Sequence, residues 1–248
     1  HNDSLVHISA LNALKTVTGN VHITYNDNLL NVAGLSSLET LGGYLGLGWN
    51  DSLQQVDAMP LLVEIGEDLL IQGNDNLTHI DGLMNLESVG DYVGIKRNTM
   101  LTNLNGLAKL RTIGGNLGIQ YNKTMANIDG LSKVESIGGN LHVGQCPEIT
   151  NLNGLSSLQS VDKSIQISSN AKLQNLLGLA KLTSLGANEV QGGSTGELGL
   201  GDLSLDNNDS LLTLEGLSGL SLIPGNLFII KNDGIADLTG LGSVSEVG

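Results

Sequence analysis

The sequence predicts an all-β solenoid in which short parallel strands stack at intervals of 24 residues. One observation behind this prediction is a repeat, because a common pattern returns in nine units along the chain. A second is that apolar residues fill the same seven places of a unit, places 2, 4, 10, 13, 16, 19 and 22, counted from its first residue. Internal repeats of this length are typical of solenoids. The nine units begin at Asn20, Tyr44, Asp68, Tyr92, Asn116, Asn140, Ser164, Asp202 and Asn226.

The first element of each unit is predicted to be a short strand. Leu117 and Ile119, for example, alternate with polar or small neighbours, which is the period of two that a strand with one buried face shows. The later apolar places follow in steps of three and leave no room for a helix of about ten residues. Stacked about 4.8 Å apart, the units would join their apolar columns into one core roughly 45 Å long.

Glycine recurs at places 15 and 23 and predicts corners of the coil. At such corners the backbone needs either a positive φ or a close approach between turns. The two columns contain Gly34, Gly82, Gly106, Gly130 and Gly154 at place 15, and Gly42, Gly66, Gly90, Gly114 and Gly138 at place 23.

Asparagine recurs at place 7 and predicts a polar ladder inside the solenoid. An amide at a buried corner can hydrogen-bond to backbone groups that the bend leaves unpaired. Cys146 takes this place in one turn, where we expect a small buried side chain, the alternative being a reactive thiol. The ladder is predicted at Asn26, Asn50, Asn74, Asn98, Asn122, Asn170, Asn208 and Asn232.

We expect residues 1–248 to form a single solenoid domain of nine units and a partial first one. A glycine-rich stretch, 188–201, interrupts the repeat and is expected to project as an insert loop, either as a site of specific contact or as a disordered segment. The first unit starts at place 6 with His1 and the last stops at place 23 with Gly248. Open ends of this kind predict a segment of a longer protein, or stacking of copies end to end.

The charge excludes several classes of partner. The net charge is -14, with only 11 Lys and Arg residues, so a nucleic-acid surface is not expected. No apolar stretch reaches the length of about 18 residues that a membrane span needs, so no direct membrane insertion of this chain is expected. A single cysteine excludes an intrachain disulfide. We find no motif for a cofactor and expect none.

Acidic columns are the only pattern that suggests catalysis. Asp57 lies one unit before Asp81, and Asp27, Asp51 and Asp75 share place 8. Stacked carboxylates could act as acid and base or form a weak calcium site, whereas the alternative is that each caps its own turn. The histidines lie too far apart to complete a catalytic set. We therefore predict that the protein is not an enzyme, with a polysaccharide-active enzyme as a lesser alternative.

Aromatic residues are only 2% of the chain, yet most fall beside the predicted strands of the first five units. Aromatic rings along a flat sheet suit a sugar ring or the apolar edge of a protein partner. The alternative is that the tyrosines at place 1 cover strand glycines. The ligand-binding candidates are Tyr25, Trp49, Arg97 and Tyr121 at place 6, and Tyr44 and Tyr92 at place 1.

Two further patterns concern the surface. Among the N-x-S/T sequons, Asn76 at place 9 is the predicted glycosylation acceptor, because four others coincide with the asparagine column at place 7. A row of hydroxyls at place 21 could match an ice lattice, so an ice-binding protein is another lesser alternative. The row contains Thr40, Ser88, Thr112, Ser136, Ser160 and Ser184.

Three stretches resemble the extracellular ligand-binding L domains of the insulin and EGF receptor family. They are SLETLGGYLGL (37–47), LESVGDYVGI (86–95) and LRTIGGNLGI (110–119). The resemblance implies a right-handed parallel β-helix of leucine-rich-repeat character, an extracellular or cell-surface location and contact with a ligand. The cysteine-rich modules of that family are absent from this chain, so no receptor function or binding residue is carried over.

Together these patterns predict a non-enzymatic recognition or adhesion module that presents a flat face to a protein or glycan. The alternative is a structural subunit, either a segment of a surface layer or a block whose copies join head to tail in a filament.

Overall fold

The computed structural model describes residues 2–186 and 200–248, which form a parallel β-solenoid with turns of 24 residues. The predicted fold class is confirmed. Each unit contributes a four-residue strand at places 2–5, and each strand pairs in parallel with the strand of the next unit. The strands are Val21–Thr24, Leu45–Gly48, Leu69–Gln72, Val93–Lys96, Leu117–Gln120, Leu141–Gly144, Ile165–Ser168, Leu203–Asp206 and Leu227–Ile230. The predicted insert, 188–201, lies outside the described residues except for Leu200 and Gly201.

A second parallel sheet, not predicted from the sequence, runs along places 21 and 22. Its strands have two residues each, with the first side chain facing outward and the second entering the core in most turns. Eight strands form one sheet and the last two pair separately. They are Thr16–Val17, Thr40–Leu41, Glu64–Ile65, Ser88–Val89, Thr112–Ile113, Ser136–Ile137, Ser160–Val161 and Ser184–Leu185, followed by Leu222–Ile223 and Glu246–Val247.

Between the two sheets most turns form a three-residue 3-10 helix at places 14–16, and the described residues contain no α-helix. The steps of three in the apolar pattern match the three residues per turn of this element. None of the helices in the described part of the chain is long and apolar enough to cross a bilayer. The 3-10 segments are Ser9–Leu11, Ala33–Leu35, Asp81–Leu83, Asn105–Leu107, Asp129–Leu131, Asn153–Leu155, Leu177–Leu179, Glu215–Leu217 and Thr239–Leu241.

The glycine columns are explained by close approach between turns. A Cβ on Gly106 would overlap the carbonyl oxygen of Ile80 in the preceding turn, and one on Gly66 would overlap that of Gly42. Except at Gly186, where φ is +67°, these columns do not adopt a positive φ. Ala58 occupies place 15 in one turn, and that turn forms no 3-10 helix. The absence of a side chain at place 15 therefore allows the turns to stack closely.

The core consists of the seven predicted columns. In the unit that begins at Asn116 all seven side chains are at most 1% exposed. Burying each such Leu, Ile or Met contributes about 1.5–3 kcal/mol, and the units share this contribution because every side chain also packs against the turns on either side. The seven are Leu117, Ile119, Met125, Ile128, Leu131, Val134 and Ile137.

The asparagines at place 7 form hydrogen bonds that link successive turns. The Oδ1 atom of Asn74 accepts the backbone N–H of Asn50 at 3.2 Å, and its Nδ2 donates to the carbonyl of Leu47 at 3.0 Å. Nδ2 also donates to Oδ1 of Asn98 at 3.2 Å. No buried side-chain nitrogen or oxygen among the described residues lacks a partner. The amide column thus satisfies the backbone where the four-residue strand ends.

A second polar ladder, which the sequence analysis missed, runs along place 1. Here a side-chain oxygen accepts the backbone N–H of the next turn: Asn116 Oδ1 accepts from Asn140 at 2.7 Å, and Asn140 Oδ1 accepts from Ser164 at 3.0 Å. Ser164 Oγ accepts from Asp202 at 3.0 Å. Tyr44 and Tyr92 interrupt this ladder, and in the other turns the four-residue strand has hydrogen-bonding side chains at both ends.

Candidate functional site

The candidate site lies at place 6, on the outer edge of the four-residue strands. Every described residue at this place has a positive φ, between 50° and 65°. Side chains are disfavoured in this left-handed region by about 1–2 kcal/mol, and glycine is not. Only one turn uses glycine, at Gly73. The other members of the column are Tyr25, Trp49, Arg97, Tyr121, Gln145, Ser169, Asn207 and Lys231.

The conformation at place 6 follows from the ladder beside it. The residue at place 7 is an inward-facing, buried amide in most turns, so the chain must turn sharply just after the strand to bring that amide inside. The left-handed residue makes this turn and leaves its own side chain on the surface: Tyr25 is 44% exposed and Tyr121 is 42% exposed. The buried amide column thus supports an exposed column of large side chains.

Two aromatic rings stack at the start of the column. The rings of Tyr25 and Trp49 have their centroids 6.1 Å apart and their planes within 8° of each other. The indole lies across the next turn, where a Cβ on Gly73 would overlap it. Gly73 is therefore required by the ring above it, since the other described turns hold side chains in the same left-handed conformation. The result is a flat aromatic surface that spans more than one turn.

Two cations follow in the fourth turn, each placed on an aromatic ring. The guanidinium of Arg97 lies 5.1 Å from the centroid of Tyr121, and the Lys96 ammonium lies 5.4 Å from that of Tyr92. Cation–π contacts of this kind contribute about 0.5–1 kcal/mol at exposed sites. No ion pair joins Lys96 or Arg97 to a carboxylate within the described part of the chain.

These groups surround a shallow depression on the face. Its volume is about 320 Å³, and it combines an aromatic wall, two amides and two positive charges. A neighbouring depression of about 200 Å³ lies against Tyr44, whose hydroxyl is 3.0 Å from Nδ1 of His22. The larger depression is lined by Trp49, Gln72, Lys96, Arg97, Gln120 and Tyr121.

Tyr44 and Tyr92 occupy a different position from the place 6 column. A Cβ on Gly94 would lie 2.8 Å from the ring of Tyr92, and one on Gly46 would lie 3.1 Å from that of Tyr44. Both tyrosines are half-buried and lie over strand glycines. Tyr92 also supports Lys96, so its contribution to the depression is through that contact.

His142 is a neighbour that sequence reasoning did not connect to the site. Its Nδ1 lies 2.9 Å from Nε2 of Gln120, an amide that lines the larger depression. Burial, together with the charge of Lys96, lowers the pKa of His142 to about 4. The imidazole is therefore neutral at physiological pH and can hold the Gln120 amide without adding charge.

Cys146 occupies the place 7 column as a buried thiol. Its Sγ lies 3.4 Å from the carbonyl oxygen of Gly144 and 3.8 Å from that of Ile119. Burial raises the pKa of the thiol to about 11, although hydrogen bonds from Asn122 lower it in part. A neutral, buried thiol is a poor nucleophile.

The acidic column at place 8 is solvent-exposed. Burial and the charges of Asp27 and Asp75 raise the pKa of Asp51. Within the described residues, no group of three or more His, Cys, Asp or Glu side chains is placed to hold a metal ion, so the calcium hypothesis gains no geometric support. Oδ2 of Asp57 accepts a hydrogen bond from the side-chain amide of Gln55 at 2.8 Å.

The remaining surface candidates lie away from the depression. Asn76 is exposed, and its Nδ2 donates to the carbonyl oxygen of Asp51 at 2.7 Å. The place 21 hydroxyls lie on the two-residue strands of the second sheet. Neither Asn76 nor any of these hydroxyls lines the larger depression.

Comparison with known proteins yields a structural similarity and no sequence match. No protein-family model matches the chain, and no curated protein sequence matches it. Among solved structures, the chain is similar to the crystal structure of an internalin from Listeria monocytogenes, with 17% sequence identity. The similarity covers 96% of this chain and 86% of the internalin chain, with a TM-score of 0.28. At that score the two chains do not superpose as wholes, so the fold assignment rests on the strands and register described above.

Proposed function

We propose that the protein is a non-catalytic recognition module that binds a saccharide on the place 6 face of its first five turns. The observation that supports this most directly is the set of four large side chains, Tyr25, Trp49, Arg97 and Tyr121, in the left-handed conformation. Glycine would be free of strain at each of these positions, as Gly73 shows. Four later turns hold smaller or polar side chains in the same conformation, so the support comes from the size and aromatic character of the side chains in the first five turns.

The chemistry of the face favours a saccharide over a protein partner. A sugar presents an apolar ring face that stacks on aromatic side chains and a hydroxyl edge that pairs with amides. In the depression, Trp49 can stack on the ring face of the sugar, and the amides of Gln72 and Gln120 can pair with its hydroxyl groups. A protein partner would need roughly 800 Å² of contact with an apolar centre, whereas the outward strand positions in these turns are mostly glycine or polar.

We further propose an extracellular or cell-surface location. The resemblance of the repeat to receptor L domains supports this, as do the sequons. Asn76 is the proposed glycan acceptor because it is exposed, whereas Asn50 and Asn122 are fully buried. Contact with saccharides is also a common task of proteins outside the cell.

The test is glycan capture by variants that remove the rings without straining the backbone. Trp49→Gly and Tyr121→Gly each place glycine in a left-handed position, as Gly73 already does, so neither should lower the melting temperature. On a glycan array both should lose about tenfold or more in apparent affinity, as expected when an aromatic anchor is lost. Ser169→Gly, in the same column but outside the aromatic turns, is the matched control and should bind as wild type does.

Unchanged capture by the Trp49 and Tyr121 variants would contradict the proposal. So would a wild-type protein that captures no saccharide and instead retains a protein partner through the same face. A loss of capture that is accompanied by a lower melting temperature would show that the rings act through folding, which would also count against a binding role.

A further inference from the structure

We propose that the larger depression is specific for an acidic saccharide, whose carboxylate is bound by Arg97 and Lys96 while its ring stacks on Trp49. This rests on the proposed function and narrows it to one class of sugar. The two cations, the indole and the glutamines between them are the groups that carry the inference.

The charges of Lys96 and Arg97 favour an anionic ligand. The protein has a net charge of -14, and among the described residues only Lys15, Arg111 and Lys172 form ion pairs with carboxylates. Of the other described basic side chains, only Lys96 and Arg97 line the depression. Both lie on tyrosine rings, with no carboxylate ion pair in the described residues. A positive charge that an acidic protein leaves unpaired in a depression is available to an anionic ligand.

The orientation of Arg97 suits a planar carboxylate. Its guanidinium packs over the Tyr121 ring, and a cation held there by its π face keeps its N–H edge available. None of the hydrogen bonds among the described residues uses these N–H groups as donors. A guanidinium edge binds a planar carboxylate through two parallel hydrogen bonds, which is the geometry that a uronic or sialic acid presents.

Polar side chains along three strands provide hydrogen-bonding groups for sugar hydroxyls. Gln72, Lys96 and Gln120 occupy the same place in three successive strands, about 4.8 Å apart. The Nε2 of Gln120 is directed to His142, which leaves its Oε1 to accept a hydrogen bond from a sugar hydroxyl. Amide acceptors beside a cation match a ligand that carries hydroxyls as well as a carboxylate.

Residues at the equivalent places of other turns indicate which substitutions of Arg97 and Lys96 suit the backbone. Gln145 occupies place 6 with a φ of 54°, so Arg97→Gln suits the backbone, and Gln72 is the precedent for Lys96→Gln. Lys231→Gln is the matched control, because Lys231 is an exposed cation in the same column that does not line the depression. All three variants remove one positive charge from the same face.

The probe is an array of uronate, sialate, sulfated and neutral oligosaccharides, followed by calorimetry on the best carboxylated sugar and its carboxyl-reduced counterpart. Wild type should bind the carboxylated sugar about tenfold or more tightly than the reduced one, since charged hydrogen bonds are roughly twice as strong as neutral ones. Arg97→Gln and Lys96→Gln should each bring the ratio of the two affinities close to one. Lys231→Gln should retain the preference.

The outcomes separate this inference from the proposed function. Equal binding of the carboxylated and reduced sugars, still dependent on Trp49, would overturn the acidic specificity and leave the saccharide function standing. Binding confined to sulfated or neutral sugars would overturn it as well. If no member of the array binds, both proposals fail.

Discussion

Replacing Cys146 by asparagine should stabilise the protein, because Cys146 interrupts the amide ladder at place 7. In the next turn, Asn170 shows what an asparagine does at this place: its Nδ2 donates to the carbonyl oxygen of Val143 at 3.0 Å. The thiol of Cys146 reaches the equivalent carbonyl, that of Ile119, only at 3.8 Å. The substitution adds an amide at a position already shaped by its neighbours for one.

The magnitude follows from the hydrogen bonds that the amide would gain. Its Nδ2 would donate to the Ile119 carbonyl oxygen and to Oδ1 of Asn170, and its own Oδ1 would accept the backbone N–H of Asn122 in place of the weaker thiol contact. The two bonds that Nδ2 gains, at about 0.5–1.5 kcal/mol each, give about 1–3 kcal/mol. For a protein of this size that is a rise in melting temperature of roughly 2–12 °C.

The assay is thermal unfolding followed by far-ultraviolet circular dichroism, with urea unfolding as the second measure. Cys146→Ala is the matched control, since it removes the thiol and supplies no amide; it should unfold at a lower temperature than wild type. A melting temperature for Cys146→Asn equal to or below that of wild type would refute the reasoning, because it would show that the ladder does not contribute net stability.

Two further predictions concern turn packing and pH. Gly106→Ala should lower the free energy of unfolding by about 1–3 kcal/mol, because its Cβ would collide with the backbone of the preceding turn. Gly19→Ala is the control: its new Cβ meets no atom within 4 Å, so the free energy of unfolding measured in urea should change little. The pKa of His142 is about 4 in the folded protein and 6.5 in the unfolded chain. As the pH falls, the unfolded state therefore binds the proton first, and stability that is present above pH 6.5 is lost as the pH approaches 4. His142→Gln, which copies Gln166 at the same place of the next strand, should lose less stability than wild type between pH 7 and 5; equal losses in urea titrations would show that His142 is not responsible.

The sequence was sufficient to predict the solenoid and its core because both depend on period alone. A column such as Leu131, Leu155 and Leu179 at place 16 can only be buried as a column if the turns stack in register, and all three are fully buried. The second sheet was missed because two-residue strands are too short to show a period of two. The steps of three indicated a bend but did not identify it as a 3-10 helix.

The conformation at place 6 could not have been predicted from composition. Glycine is the usual signal for a positive φ, and the glycine columns at places 15 and 23 pointed to those corners instead. The left-handed column contains one glycine, Gly73, among bulky residues such as Trp49 and Arg97. The cause lies in the third dimension: the chain must turn inward to bury the amide that follows.

The sequence placed the site residues in one column but could not pair them. A repeat fixes which side chains are neighbours, whereas rotamers decide that Trp49 leans over Gly73 and that Arg97 leans over Tyr121. The depression between these two groups exists only because they lean on those neighbours. The ladder at place 1 was missed for another reason: Asn, Asp and Ser share this place with two tyrosines, and only the shared oxygen acceptor reveals the column.

Between the units that begin at Ser164 and Asp202 the chain takes 38 residues, not 24, to come back into register. Both ladders nevertheless close across this longer turn, with Asn170 donating its backbone N–H to Asn208 Oδ1 at 3.1 Å. The corner after place 23 therefore accepts extra chain at the small entropic cost of a longer loop, about 0.6 kcal/mol for each doubling. An insertion inside places 1–22 would instead shift the apolar columns out of the core. The same corner in any other turn is thus a natural graft point, and the protein could serve as a scaffold that displays several foreign peptides along one edge at fixed spacing.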